Sequence, residues 1–146
     1  MAIRKLAILA LLLGAIMFLS ATFKVDEKIS KEKAIELAEA FIKYNGYTSA
    51  VADTTRLSYE LFDENDIKKL LKKRHNTLHE KAFCISESVD KWSIGFLSTD
   101  VNIKKLDSIQ LNSNLPGRGV KVSKNGKEIK MVHQDPLFSK WKKLRL

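Results

Sequence analysis

Hydrophobic and polar positions change their spacing several times along the chain, and each change marks a predicted element. Between Ala34 and Ile42, apolar residues recur at the three- and four-residue intervals of an amphipathic helix. Ser30 precedes this run as a favourable N-cap, and Asn45-Gly46 follows it as a stop, because glycine adopts the left-handed conformation without steric cost. The pattern therefore predicts a first helix between Ser30 and Asn45.

A second helix is predicted after residue 62, where the acidic run Asp63 to Asp66 precedes a basic run that ends at Arg74. Acids at the beginning of a helix and bases at its end complement the helix dipole. The inward stripe of this helix is predicted to consist of Ile67, Leu70, Leu71 and Leu78. The preceding stretch, residues 47–62, is interpreted either as an irregular crossing or as a short strand around Arg56 to Tyr59.

From Lys81 onward the apolar period becomes two, which is typical of strands with one buried face. Phe83 and Ile85 share one phase, and a turn is predicted at residues 88–90. The strand after the turn is predicted to bury Trp92, Ile94 and Phe96. A long polar loop with a few buried anchors then occupies residues 99–116.

A final hairpin is predicted where residues 120–124 face residues 127–131 across Asn125-Gly126, a favoured two-residue turn. The register pairs three sets of residues directly across the strands: Val122 with Ile129, Val120 with Met131, and Lys121 with Lys130. The apolar pairs face the core, and the two lysines face away from it. Like charges directly opposite are unfavourable by about 0.2–1 kcal/mol, so an electropositive face is expected here.

These elements together predict an α+β fold in which N-terminal helices pack on a curved, mostly antiparallel sheet of about four strands. The predicted domain occupies residues 30–136, which is long enough to bury a core of its own. A connector at residues 24–29 precedes the domain, and a basic C-terminal tail at residues 137–146 follows it.

Residues 1–23 have the composition of a membrane-targeting segment. Arg4 and Lys5 are followed by eighteen residues without a charge, from Leu6 to Phe23. This order is typical of a secretory signal, and the run is also about long enough for an uncleaved anchor, which takes roughly 17–25 apolar residues. Both alternatives place the domain outside the cytoplasm, in the periplasm or attached to the inner membrane, because the positive end stays inside.

The formal net charge of the whole chain is +9, and the positive charge is concentrated in its last part. Between Lys24 and Pro116, fifteen basic residues balance fifteen acidic ones, whereas residues 117–146 hold nine basic residues against Glu128 and Asp135. Such one-ended charge indicates an acidic protein surface, an anionic membrane or nucleic acid as partner, and export argues against nucleic acid. The predicted contact residues are Lys121, Lys130, Lys140, Trp141, Lys142 and Lys143.

A second set of candidates consists of Arg74, His75 and His133, which are predicted to line a pocket. In that pocket, Arg74 would bind a carboxylate or a phosphate through its planar guanidinium. The alternative for the polar cluster at residues 74–77 is that it ends the helix and fixes the turn into the sheet.

Neither a metal nor another cofactor is expected. His75 and His79 have a spacing that allows metal binding, but no cysteine or well-placed carboxylate completes a ligand set. Cys84, the single cysteine, lies within an apolar alternation and is expected to be buried. Because no nucleophile motif is present either, the chain is not expected to be an enzyme.

Four segments carry a resemblance to a known family: ELAEAFIKYNGYT in the first helix, RHNTL after the second, WSIGF in a strand, and GVKVSKNGKEIKMVHQD in the final hairpin. Over most of residues 30–135 the chain resembles small bacterial proteins of the NTF2-like immunity type. The resemblance implies helices in the concave face of a curved antiparallel sheet, and protection of the producing cell by direct binding of a toxin. It implies no particular binding residues.

The expected function is therefore non-enzymatic binding in the bacterial envelope, through the basic hairpin and tail, to a protein with an acidic surface. Two alternatives stay open. One is a small-ligand or enzymatic pocket domain of the NTF2-like type, because a fold does not decide a function. The other is a membrane-tethered structural protein that contacts anionic lipid through Trp141 and the lysines around it.

Overall fold

The computed structural model describes residues 27–57, 63–106, 115–132 and 140–144. Within these ranges the chain forms two α-helices, five β-strands and two single-turn 3-10 helices, at Thr54–Arg56 and Ile103–Lys105. The α-helices are α1 (Lys31–Tyr44) and α2 (Glu64–Arg74). The strands are β1 (Cys84–Glu87), β2 (Lys91–Leu97), β3 (Gly117–Ser123), β4 (Ile129–Val132) and β5 (Lys142–Lys143).

The five strands form one antiparallel sheet in the order β4-β3-β2-β1-β5. The predicted α+β class and the antiparallel character of the sheet are confirmed. The sheet has one strand more than expected, because residues 142–143, which the sequence analysis assigned to the C-terminal tail, pair with β1. None of the helices in the described ranges is long and apolar enough to cross a membrane. The targeting segment predicted at residues 1–23 lies outside those ranges.

Helix α1 covers one face of the sheet, called here the inner face. Ser30 caps the helix as predicted, since its hydroxyl accepts a hydrogen bond from the backbone N–H of Lys33 at 3.1 Å. Ala34, Ala38 and Ile42 form the stripe that is fully buried. They share one core with inward residues of the sheet: Ile85, Trp92, Ile94, Phe96, Val120 and Val122. The predicted amphipathic pattern of this helix is confirmed.

Helix α2 begins within the predicted acidic run, with Asp63 as its N-cap, but it differs from α1 in its packing. Of the eleven described residues of α2, Arg74 is the one that is buried. Two hydrogen bonds connect the chain just after α2 to the segment that follows α1. The N–H groups of Thr77 and Leu78 both donate to the carbonyl of Tyr47 at 2.9 Å. The predicted inward stripe is therefore only partly buried within α2, although Leu78, beyond the helix, belongs to the core.

The final hairpin has the predicted strand register, with Val122 opposite Ile129 and Lys121 opposite Lys130. The predicted two-residue turn is wrong, because the loop is longer. The N–H of Gly126 donates to the carbonyl of Ser123 at 2.9 Å, and the Ser123 hydroxyl accepts from the N–H of Glu128 at 2.9 Å. The Ser123 hydroxyl thus replaces a backbone carbonyl as the acceptor for the Glu128 N–H. The loop consists of residues 124–127.

Lys124 in this loop ties the hairpin to the rest of the domain. Its N–H donates to the Asp90 carbonyl at 2.9 Å, and its carbonyl accepts from the N–H of Ile29 at 2.7 Å. Its ammonium lies 3.5 Å from the ring centroid of Trp92 and forms an ion pair with Glu87. One lysine of the basic C-terminal part is therefore committed to holding the fold together.

The start of β1 departs from the simple alternation. Cys84 is the register partner of Gly95, and the N–H of Phe83 also donates to the Gly95 carbonyl, at 2.8 Å. Two residues facing one is the arrangement of a β-bulge, which turns both side chains to the same side. The prediction that Phe83 shares a face with Ile85 is therefore wrong: Phe83 packs with Cys84 in a second cluster, and Ile85 packs in the inner core.

This second cluster covers part of the face of the sheet opposite α1, called here the outer face. Its buried members are Phe83, Cys84, Leu97 and Val101, and Ile103, Leu106, Leu115 and Trp141 pack against them. Val101, Ile103 and Leu106 belong to the long loop after β2, where buried anchors were predicted. The sheet consequently has apolar packing on both faces, with α1 on the inner face and the loop together with the C-terminal segment on the outer face.

Replacing Gly46 by alanine is expected to lower the free energy of unfolding by about 1–3 kcal/mol, because Gly46 has a φ of +78°. A Cβ at this position would also lie 2.7 Å from Leu71 Cδ2, so the Leu71 side chain would have to move. Urea unfolding followed by circular dichroism measures the change. The control is V51A, at a side chain that is 93% exposed, where a change within about 0.5 kcal/mol is expected. Equal stability of G46A and the parent chain would contradict this account.

Candidate functional site

Lys121 and Lys130 lie on the outer face of the hairpin, directly opposite each other on β3 and β4. Both are exposed. Lys130 Nζ lies 3.2 Å from a carboxylate oxygen of Glu128, in an ion pair whose two side chains are 75% and 70% exposed. Exposed pairs of this kind contribute little, so the lysine pair gives this part of the surface a positive character.

The last described residues belong to the sheet. Lys143 is the register partner of Cys84, Lys142 is that of Ile85, and the N–H of Leu144 donates to the carbonyl of Phe83 at 2.9 Å. Lys143 Nζ is 3.3 Å from the Trp141 carbonyl, which it can reach as a donor. Lys140 and Lys142 are exposed. Among the lysines predicted to contact a partner in this segment, these two therefore have the better access to one.

Trp141 is half-buried on the outer face of the sheet. Its Cη2 atom lies 3.6 Å from the position that a Cβ on Gly119 would take, so the indole passes close to the backbone of β3. It packs against the cluster that contains Phe83 and Cys84. A Cβ on Gly119 would be in ordinary van der Waals contact with the ring, so the indole lies against β3 and Trp141 has a packing role. Its role in partner contact stays a prediction.

The predicted pocket residues do not form one group. Arg74 is buried, with 7% exposure; its Nη1 lies 3.4 Å from the Asn45 carbonyl and its guanidinium carbon 4.7 Å from the ring centroid of Tyr47. His75 is exposed and is the C-cap of α2, with its N–H donating to the Leu71 carbonyl. His133 lies outside the described residues. Of the three, Arg74 is the residue that the structure places in a cleft.

This cleft, of about 410 Å³, lies between α2, the segment after α1, and the β3–β4 end of the sheet. We call it the cationic cleft, because its described lining contains three basic residues and no acidic one. The basic residues are Lys73, Arg74 and Arg118, and the others are Tyr47, Thr77, Leu78, Ser98, Pro116, Gly117 and Met131.

Two of the basic residues of the cationic cleft were missed from the sequence. Lys73 was interpreted as part of a helix end that complements the dipole, and nothing in its local pattern points to a cleft. The position of Arg118 could have been recognised from the sequence. It lies two residues before Val120 and four before Val122, so it points to the same, buried face of β3, where a charged residue is unusual.

A larger depression of about 1430 Å³ lies between α1, residues 79–82 and residues 99–104. Apolar side chains that line it include Ile35, Ala82, Val101, Ile103 and Leu144. Two of its polar groups have partners within the fold. Glu39 forms an ion pair with Lys81 at 2.9 Å and accepts a hydrogen bond from the Ala82 N–H, and His79 Nε2 is hydrogen-bonded to the Val101 carbonyl at 2.8 Å.

Cys84 is completely buried, as predicted. Burial raises the pKa of its thiol to about 12, although the Lys143 ammonium and a hydrogen bond from Gly95 oppose the shift. The thiol is therefore neutral and shielded, which is the opposite of what a nucleophile needs.

Within the described ranges, no group of three or more histidine, cysteine, aspartate or glutamate side chains is arranged to hold a metal ion. No protein-family model, no curated protein and no solved structure matches this chain.

The Cys84 thiol is expected to react with Ellman's reagent at pH 8 at least ~100-fold more slowly in the native protein than in 6 M guanidinium chloride. The free energy of unfolding should also decrease as the pH rises from about 9 to about 12, because the unfolded chain then releases the thiol proton while the folded chain retains it. The variant C84A should lack this part of the pH dependence. Equal reaction rates in the native and unfolded states would contradict the burial.

Replacing Trp141 by alanine is expected to lower the free energy of unfolding by about 2–3 kcal/mol, because the change removes a half-buried indole from the outer cluster. The matched control is K140A, at an exposed neighbour, where a change within about 0.5 kcal/mol is expected. Urea unfolding measures both variants. If W141A were as stable as K140A, the indole would not be part of the core.

Proposed function

We propose that this chain is a non-enzymatic binding protein of the bacterial envelope that recognises an acidic protein surface through the outer face of β3 and β4. In its most specific form, the proposal is that the chain is an immunity protein, which neutralises a toxin by forming a stoichiometric complex with it.

The observation that carries the proposal is the pair formed by Lys121 and Lys130. Like charges directly opposite each other on neighbouring strands cost about 0.2–1 kcal/mol, and the exposed ion pair with Glu128 offsets only part of that cost. The fold gains nothing from this pair. A carboxylate-rich partner that covers it would convert the repulsion into attraction.

The distribution of charge supports the same partner. Residues 117–146 hold nine basic and two acidic residues, whereas the part of the chain from residue 24 to 116 is neutral. Lys140 and Lys142 are exposed as well. Charge that is concentrated at one end of a chain speeds the association with an oppositely charged surface and selects against other partners.

Three observations favour a protein partner over the alternatives. The polar groups that line the larger depression, such as Glu39 and His79, are engaged in structural hydrogen bonds, and the Cys84 thiol is buried, which argues against catalysis there. Trp141 packs on the sheet, so its indole is less available for insertion into a membrane than an exposed ring would be. The export predicted from residues 1–23 argues against nucleic acid.

The family and the location are part of the proposal. The resemblance over residues 30–135 favours an NTF2-like domain, and an antiparallel sheet with α1 on its inner face supports that assignment. A signal or anchor at residues 1–23 would place the domain where it meets a toxin that acts at, or enters through, the envelope. The partner would then be the toxin itself.

Reversing the two lysines to glutamate, K121E/K130E, is expected to reduce partner binding at least ~10-fold at low salt, mainly by slowing association. The matched control is K68E/K69E, which makes the same charge change at two exposed positions of α2. The experiment uses the full chain in mild detergent as bait for envelope extract of the source organism. The partner is identified by mass spectrometry, and its association rate is then measured with each variant.

Loss of the partner with K121E/K130E but not with K68E/K69E supports the proposal, and a partner that inhibits growth unless this chain is co-expressed supports the immunity form. Equal binding by both variants overturns the electrostatic argument. If the outer-face variant instead self-associates in sedimentation while partner binding is unchanged, the lysines serve to keep the edge strand β4 from pairing with other chains, and the proposal is wrong.

A further inference from the structure

The cationic cleft lies away from the proposed protein-binding surface. Arg118 is the register partner of Phe96, which belongs to the inner core, whereas Lys121, three residues further along β3, faces outward. Since successive side chains of a strand point to opposite faces, these two basic residues belong to different surfaces. A ligand in the cleft would therefore contact a different surface from a partner bound at Lys121 and Lys130.

Arg74 lines the cationic cleft, and contacts within the fold hold its side chain in place without a ligand. Its guanidinium stacks on the Tyr47 ring at 4.7 Å and lies 3.4 Å from the Asn45 carbonyl. The carbonyl of Arg74 itself accepts from the Thr77 hydroxyl at 2.6 Å, which fixes the backbone at the end of α2. A buried guanidinium that is fixed in this way is preorganised for the planar, bidentate recognition of an oxyanion.

Lys73 and Arg118 add two more positive charges at the same cleft, from elements that are far apart in the sequence. Both residues are exposed, so they have access to a ligand that enters from solvent. The dipole of α2 accounts for a basic residue at Lys73, but it does not account for Arg118 on β3. An anion bound in the cleft would be attracted by all three basic side chains.

The remainder of the lining favours an anion with an organic body. Tyr47, Leu78 and Met131 supply apolar surface, whereas the hydroxyls of Thr77 and Ser98 already donate within the fold, to the Arg74 carbonyl and to the Asp100 carboxylate. The volume of about 410 Å³ is within the usual range of roughly 300–1,000 Å³ for small-molecule sites. Inorganic phosphate alone would leave most of this space to water.

We infer that the cationic cleft is a binding site for a small organic oxyanion, a carboxylate or a phosphate ester, whose anionic group contacts Arg74, Lys73 and Arg118. Its aromatic or aliphatic part packs against Tyr47, Leu78 and Met131. This inference does not depend on the proposed protein partner, because it concerns a different face of the sheet.

The test is a titration of the ¹⁵N-labelled full chain, in mild detergent, with phenyl phosphate, benzoate and inorganic phosphate, with benzyl alcohol as the neutral control. Saturable shifts are expected at the backbone amides of Thr77, Ser98 and Gly117 with at least one organic anion and not with benzyl alcohol. K73Q/R118Q should weaken that binding by about 10-fold or more, because it removes two charge-assisted contacts. K68Q/K69Q, on the exposed side of α2, should leave it within about twofold.

The variants leave Arg74 in place, because removal of this buried side chain could unfold the domain. A preference for phenyl phosphate identifies a phosphate ester, and a preference for benzoate identifies a carboxylate; both support the inference. Absence of saturable shifts at the cleft amides up to about 20 mM of every anion overturns it, as does binding that K73Q/R118Q leaves unchanged.

Discussion

The structure depends on the central strand β2, which is buried on both faces. Trp92, Ile94 and Phe96 point to the inner core, and Gly95 and Leu97, on the other face, are buried as well. A strand of this kind is stable only if a layer covers each side, because apolar surface left in water costs roughly 25 cal/mol per Å². Helix α1 covers the inner face. Neither of the two α-helices in the described ranges covers the outer face, where the long loop and the C-terminal segment pack instead. The need for this cover explains why that segment is part of the sheet.

Features set by local pattern were predictable from the sequence, and features set by packing between distant segments were not. Helix α1 and its caps followed from the spacing of apolar residues and from Ser30 and Gly46, and the pairing of Lys121 with Lys130 followed from the alternation in the hairpin. The bulge at Phe83 could not be predicted, since the residues around Phe83 fit a regular strand equally well. The sequence showed Trp141 as a member of a charged tail, because its contact surface is formed by residues more than twenty positions away.

The candidate sites divide in the same way. The positive face of the hairpin could be predicted, because two residues on neighbouring strands define it. For the cationic cleft, the sequence pointed to Arg74 alone, and it grouped this residue with His75, which the structure places at the exposed end of α2. The cleft requires that the end of α2 be hydrogen-bonded to Tyr47 and that β3 begin beside it, and no periodicity in the sequence contains this information. Strand β3 then serves two surfaces, with Arg118 on the inner face and Lys121 on the outer face.

The position of β5 at the sheet edge has a consequence for the order in which the domain can fold. Helix α1 and strands β1 to β4 all precede residue 133, so most of the inner core can close before β5 pairs with β1. The edge of β1 stays unpaired until residues 142–143 arrive, and the outer cluster stays incomplete until Trp141 packs against it. One short segment therefore closes the sheet edge and completes the apolar cover of the outer face in the same step.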